Sequence, residues 1–118
     1  MAQEVTVKTG PVRTSGYAIK LRKTINAALR GTYKQGRLNA KKVNETITKL
    51  NQMLYEVIVE GYEIPKDTIL NIQATILEHG DDIVIKEVAV EIWNRDEILS
   101  KAVTKEITER LKKTSKEA

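Results

Sequence analysis

The 118-residue sequence has no cysteine and no phenylalanine, and it has only one histidine, one tryptophan and two prolines. Without cysteine, disulfides, zinc–thiolate sites and cysteine nucleophiles are excluded. Because aromatic side chains are scarce, the core has to be built from isoleucine, valine and leucine. The longest apolar stretches, such as residues 57–59, fall far short of the roughly 20 residues that a membrane span needs.

The composition that remains is that of a globular protein, with 41% hydrophobic and 31% charged residues. We expect one domain over residues 1–118, with a partly flexible N-terminal segment at 1–14 and a frayed basic tail at 113–118. The first ten residues lack the basic and apolar segments of a secretory signal. We therefore expect a cytoplasmic protein.

Charge is unevenly distributed along the chain. Residues 1–51 contain eleven basic and two acidic side chains, whereas residues 52–118 contain nine basic and fourteen acidic ones. Such asymmetry suggests a polyanionic partner for the first half. The alternative is that the two halves attract each other across the fold or across a dimer interface.

Two amphipathic helices are predicted in the first half, after a short strand at residues 4–8. The first helix follows Ser15 as a candidate N-cap and ends near Gly36, and the second begins after Asn39 and continues to about Tyr62. A short link between them predicts an antiparallel αα-hairpin. Each helix has one apolar stripe for the core, and the stripe of the second helix ends at Val57 and Ile58.

The pattern changes to alternation after residue 68, which predicts strands at 68–78 and 83–93 joined by a turn at Gly80. A last helix then follows Asn94 as a candidate N-cap, with apolar residues at Leu99, Val103, Ile107 and Leu111. The sequence therefore predicts an α+β protein, a small two-layer domain of order β-α-α-β-β-α. In it, an antiparallel β-hairpin at about 68–93 packs against the αα-hairpin and the C-terminal helix. Exposed strand edges, and Leu77 and Trp93 on the outer side, make a homodimer plausible.

Basic side chains form a row on the first helix. On a helical wheel, Lys20, Lys23, Arg30 and Lys34 fall within about 80° of one another, and no carboxylate at i+4 neutralises them. A phosphate backbone would relieve their mutual repulsion. Further candidates for nucleic-acid contact are Arg13, Arg22, Tyr33, Arg37, Lys41 and Lys42, with Tyr33 as a stacking residue.

Enzymatic signatures are scarce. His79 lies beside Gly80, Asp81 and Asp82, where a metal or acid–base site is conceivable, but a polar hairpin turn explains these residues better. No phosphate-binding glycine loop, serine nucleophile motif or metal signature is present in the sequence. We predict no enzymatic activity, no catalytic residues, no bound metal and no cofactor.

The stretch SGYAIKLRKTINAALRG at residues 15–31, followed by a basic second helix, resembles a family of short archaeal proteins of unassigned function. In size and basic α+β character the chain also resembles small archaeal nucleic-acid-binding proteins, namely Alba and the thermophile single-strand-binding family ThermoDBP. The predicted element order differs from the β-α-β-α-β-β order of Alba. No functional residue is carried over from either family.

The sequence thus predicts a non-enzymatic nucleic-acid-binding protein whose basic helical hairpin contacts the phosphate backbone. RNA or single-stranded nucleic acid is slightly preferred, because nothing resembles a major-groove reading motif. The alternative is a protein–protein interaction or assembly module whose basic helices dock on an acidic surface.

Overall fold

The computed structural model describes residues 4–117, with side chains as far as Thr114. Residues 1–3 and 118, which belong to the ends for which we expected flexibility and fraying, lie outside this range. The predicted α+β class and order are confirmed. In chain order, the elements are β1 (Glu4–Lys8), β2 (Val12–Arg13), a 3-10 turn (Thr14–Gly16), α1 (Tyr17–Ala28), α2 (Arg30–Lys34), α3 (Ala40–Tyr55), a π-helical turn (Glu56–Gly61), β3 (Ile69–His79), β4 (Asp82–Trp93) and α4 (Glu97–Glu117).

Strand β3 is the centre of an antiparallel sheet. Strand β4 pairs along one edge of β3, and β1 and β2 follow each other along the opposite edge. The predicted hairpin is therefore confirmed. Its turn uses Gly80 at φ +62°, a conformation that a side chain disfavours. The register shifts once, because Thr75 faces Glu87 while Ile76 faces Ile85, which leaves Lys86 as the extra residue of a β-bulge.

Helices α1 and α3 cover one face of this sheet and form the second layer. The even-numbered residues of β3, from Leu70 to Ile76, point into the core, as the alternation predicts. Burial of these aliphatic side chains is the main stabilising contribution to the fold. The largest fully buried side chains are Leu21, Ile25, Val43, Ile47, Leu70, Ile72 and Ile76.

The first helix is shorter than predicted. Helix α1 ends at Ala28, and the chain bends at Leu29 (φ −91°, ψ 0°) before the short helix α2. Gly31 and Thr32 are poor helix formers, and the bend keeps Leu29 in the core with 2% exposure. The N-cap prediction at Ser15 was also wrong, since Ser15 lies in the 3-10 turn and Gly16 precedes α1 without a side-chain cap.

The second helix confirms its predicted cap. The side chain of Asn39 accepts a hydrogen bond of 3.2 Å from the Lys42 amide. Near its end the helix widens into the π-helical turn, which adds one residue to the turn. The extra residue rotates the following side chains, so that Ile58 is buried while Val57, expected on the apolar stripe, is half exposed.

Helix α4 differs most from the prediction, because it extends away from the sheet instead of packing on it. All its described side chains are exposed except that of Ser100. The radius of gyration is 20.5 Å, against about 13 Å for a compact chain of this length. The cap is Asp96 and not Asn94, since an Asp96 carboxylate oxygen accepts from the Leu99 amide at 2.9 Å. None of the described helices is both long and apolar enough to cross a bilayer.

Candidate nucleic-acid interface

The predicted basic row lies on the outer surface of the helical layer. Lys20 and Lys23 project from α1, and Arg30 and Lys34 project from α2. All four are exposed, and no described carboxylate lies within 4.0 Å of their charged nitrogens. The bend at Leu29 divides the row into two pairs, so a single straight helix does not present it. We call these four side chains the basic row.

Arg22 occupies a different position, between α1 and α3. Its Nη1 donates to the side-chain oxygen of Asn44 at 2.9 Å and to the main-chain oxygen of Asn44 at 3.2 Å. Its Nη2 donates to Thr48 Oγ1 at 2.7 Å. Asn26 donates to the same Asn44 oxygen at 3.1 Å. Arg22 therefore links α1 to α3, and its guanidinium group already donates hydrogen bonds to residues of α3.

Arg37 and Lys42 face carboxylates from the β3–β4 hairpin. Arg37 Nη2 lies 3.2 Å from a carboxylate oxygen of Glu78, and Lys42 Nζ lies 3.0 Å from one of Asp81. Lys41, the neighbour of Lys42, is exposed with no described carboxylate within 4.0 Å. The attraction between the two halves of the chain, weighed above as an alternative, thus occurs at two of the predicted contact residues.

Arg13 lies in the sheet and not on one of the helices that carry the other cations. It ends β2 and pairs with Ile69 of β3. Its side chain is exposed. The structure therefore leaves Lys20, Lys23, Arg30, Lys34 and Lys41 exposed on the helical layer, and it places Arg13 in the sheet.

Tyr33 is packed rather than free to stack. Its ring is half-buried against the core, and its hydroxyl donates to Asn26 Oδ1 at 3.1 Å. Burial, and then the negative charge of Asp82, raise the pKa of Tyr33 above its usual value. Tyr17 is fully in the core, where its hydroxyl donates to a main-chain oxygen of α3, and burial raises its pKa as well.

A groove of about 710 Å³ opens between α1 and the end of α3, next to Lys23. Tyr55 lines one wall and is 49% exposed, and Ile19 lines the other and is also exposed. Glu56 and Glu60 line the groove as well, so it suits an uncharged base better than a phosphate. Tyr55 was not among the contact residues predicted from the sequence. The available signal was its position outside the apolar stripe of α3, where an aromatic side chain is left facing solvent.

Comparison with known proteins assigns the family. A family model described as ThermoDBP-related, archaea, matches residues 7–84, which is more than half of the chain. This chain belongs to the archaeal ThermoDBP-related family. The resemblance to ThermoDBP noted from the sequence is thereby confirmed. No curated protein matches the chain.

Two solved structures resemble this ThermoDBP-related protein. The crystal structure of apeThermo-DBP-RP2 bound to ssDNA dT10 superposes with a TM-score of 0.79 at 29% identity, covering 98% of this chain and 54% of that one. The present chain therefore spans about half the length of that relative. The structure of pfuThermo-DBP-RP1 (crystal form II) superposes with a TM-score of 0.68 at 24% identity, covering 96% and 74%, and it supports the fold alone.

The outer face of the sheet in this ThermoDBP-related protein is mostly polar. Asn71 donates to Glu91 at 2.8 Å, and the hydroxyls of Thr6 and Thr75 lie 3.2 Å apart. Trp93, at the end of β4, is 54% exposed. Because carboxylates interrupt this face, it is a poor surface for phosphate.

The hairpin turn around His79 does not assemble a metal site. Among the described residues, no group of three or more histidine, aspartate or glutamate side chains could hold an ion. Asp81 pairs with Lys42, and Asp82 accepts hydrogen bonds from the Thr46 hydroxyl. These carboxylates connect the turn to α3.

Proposed function

We propose that this chain is a non-enzymatic nucleic-acid-binding protein that holds single-stranded DNA along α1, α2 and the start of α3. The observation that carries the proposal is the basic row together with Lys41 at the start of α3, five exposed cations to which the described residues offer no carboxylate within 4.0 Å. Membership of the ThermoDBP-related family and likeness to a protein bound to ssDNA dT10 support it.

Single-stranded nucleic acid fits the surface better than a duplex. The groove beside Lys23 offers the half-exposed ring of Tyr55, on which an unpaired base can stack. A duplex keeps its bases stacked on one another and presents only phosphates to such a surface. RNA is compared with DNA in the same assay, because the phosphate contacts do not distinguish them.

The test is fluorescence anisotropy with a labelled ten-nucleotide oligodeoxythymidine at several salt concentrations between about 50 and 200 mM. Five neutralised phosphates give a slope of log K against log salt of about −3.5 for a single strand. The variant Lys23→Glu/Arg30→Glu/Lys34→Glu should abolish binding while its circular dichroism stays native. Absence of binding by the wild type at low salt would refute the proposal.

A matched control changes the net charge equally on another surface. Lys101, Lys105 and Lys112 lie on α4, away from its apolar row. Replacing these three lysines by glutamate should reduce affinity much less than the change in the basic row does. Equal loss in both variants would show that only net charge matters and that the interface is misplaced.

We also propose that two copies of the chain associate through α4. Leu99, Val103, Ile107 and Leu111 recur every four residues, and each is at least 49% exposed. Two such rows can cover each other, and burying them removes apolar surface from water. Size-exclusion chromatography with light scattering tests this, and a monomer at high protein concentration would refute it. Dimers that dissociate in salt, without affinity for DNA or RNA, would favour the assembly module instead.

A further inference from the structure

The β3–β4 hairpin places two carboxylates against the basic surface. Glu78 is near the end of β3 and contacts Arg37 at 3.2 Å, while Asp81 in the turn contacts Lys42 through both oxygens, at 3.0 and 3.1 Å. These pairs join residues about forty positions apart in the chain. Of the candidate cations on the helical layer, these two are thus held by internal anions, unlike Lys41 and the basic row.

The hairpin is fixed in this position by bonds that do not involve the two cations. The Asn39 amide donates to the main-chain oxygen of Asp81 at 2.7 Å. The Thr46 hydroxyl donates to the carboxylate of Asp82 at 3.0 Å. With the turn attached to α3 at these points, Glu78 and Asp81 stay beside their partners. A phosphate that approaches Arg37 or Lys42 therefore has to compete with a carboxylate already in place.

Competition of this kind is possible because both cations remain accessible to water. The side chains of Arg37 and Lys42 are 52% and 55% exposed, whereas those of their partners Glu78 and Asp81 are 19% and 50% exposed. Exposed ion pairs are weak, so a phosphate of a polyanion can replace the carboxylate beside either cation. Each replacement releases less free energy than the contact of a phosphate with an unpaired cation.

We propose that Glu78 and Asp81 are built-in competitors that restrict a bound strand to Lys41 and the basic row by occupying Arg37 and Lys42. This inference rests on the proposed function and adds to it a limit on the length of the contact. Removing the two carboxylates should extend the phosphate-binding surface from five cations to seven.

The experiment compares the wild type with Glu78→Gln/Asp81→Asn in the anisotropy titration with oligodeoxythymidine. Two additional phosphate contacts should steepen the slope of log K against log salt by about 1.4. Affinity at low salt should rise about fivefold, the effect expected for two exposed ion pairs. Adding Arg37→Ala and Lys42→Ala to this variant should return the slope to the wild-type value.

The control is Glu87→Gln/Glu109→Gln, which raises the net charge by the same amount at two exposed carboxylates on β4 and α4. Neither lies within 4.0 Å of a described cation. Its slope should match the wild type. A wild type that binds, with equal slopes in test and control variants, overturns this inference alone. A wild type that does not bind any strand overturns the proposed function together with it.

Discussion

Replacing Arg22 by alanine tests whether this arginine joins two helices or contacts phosphate. The substitution removes three hydrogen bonds to α3, at 2.7, 2.9 and 3.2 Å. Asn44 keeps its bond from Asn26, and the Thr48 hydroxyl keeps its bond to the Asn44 main-chain oxygen, so the groups left behind retain partners. We therefore expect a loss of about 2 kcal/mol in the free energy of unfolding, towards the lower end for bonds to a charged donor.

Urea unfolding followed by circular dichroism measures this loss. With a typical urea dependence of about 2 kcal/mol per M for a protein of this size, the midpoint should fall by about 1 M at unchanged slope. Arg22→Lys should recover little, because an ammonium group cannot reproduce the two-pronged contact with Asn44 and Thr48.

Binding separates the two roles of Arg22. Under conditions where Arg22→Ala is fully folded, its affinity for oligodeoxythymidine and its salt slope should match the wild type. Lys23→Ala, one residue further along, should make the slope shallower by about 0.7 without affecting stability. A variant Arg22→Ala that unfolds like the wild type, but binds as weakly as Lys23→Ala, would show that Arg22 contacts phosphate and does not join the helices.

Three further predictions concern stability and association. Burial raises the pKa of Tyr17 above 10.0, so its contribution to stability is fully present below pH 10.0 and is lost as the pH rises through the folded pKa. Tyr17→Phe should lower the free energy of unfolding by about 1 kcal/mol at neutral pH, and in urea titrations its stability should fall less than that of the wild type as the pH becomes alkaline. Equal falls in the two proteins would contradict this. Gly80→Ala should lower the free energy of unfolding by about 1 to 2 kcal/mol, because φ at this position is +62°. Gly31→Ala in α2, where an added Cβ meets no atom within 4 Å, should not lower it. Equal effects of the two substitutions in thermal melts would contradict the assignment of the loss to the backbone conformation of Gly80. Leu99→Lys/Ile107→Lys should convert the proposed dimer to a monomer with unchanged circular dichroism, and a mass unchanged by light scattering would exclude α4 as the contact.

Local patterns were sufficient to predict the sheet and most of the core. Apolar and polar residues alternate from Leu70 to Ile76, and in a strand this alternation places the apolar side chains on one face, which is then buried. Gly80 adopts the positive φ of the turn that joins β3 to β4. Asn39 accepts a hydrogen bond from the amide of Lys42, three positions later, so its capping role can be predicted from the local sequence. Such features depend on residues that are close to one another in the sequence.

The position of Arg22 was also readable, although the sequence analysis grouped it with the contact residues. On the helical wheel it falls about 160° from Lys20 and about 80° from Arg30, the nearest member of the basic row, and it borders the apolar stripe. The pairing of Arg37 with Glu78 and of Lys42 with Asp81 was not readable, because it depends on how the hairpin packs against the start of α3.

The bend at Leu29 and the direction of α4 follow from tertiary packing. A wheel drawn through residue 34 assumes a straight helix, whereas burial of Leu29 together with the low helix propensity of Gly31 divides it. The apolar residues of α4 have the same spacing whether the helix packs on its own sheet or on another chain. Periodicity gives the face of a helix but not the identity of what covers it.

Helix α4 has a consequence for how strongly a long strand could be held. Its 21 residues span about 32 Å at 1.5 Å per residue, and they separate the helical layer from the far end of the chain. If α4 joins two chains, the assembly is bivalent, because two DNA-binding surfaces (called heads below) are connected by the stiff α4 helices. A strand long enough to reach both heads would rebind locally after releasing one of them, so its dissociation would slow far more than the affinity of a single head implies.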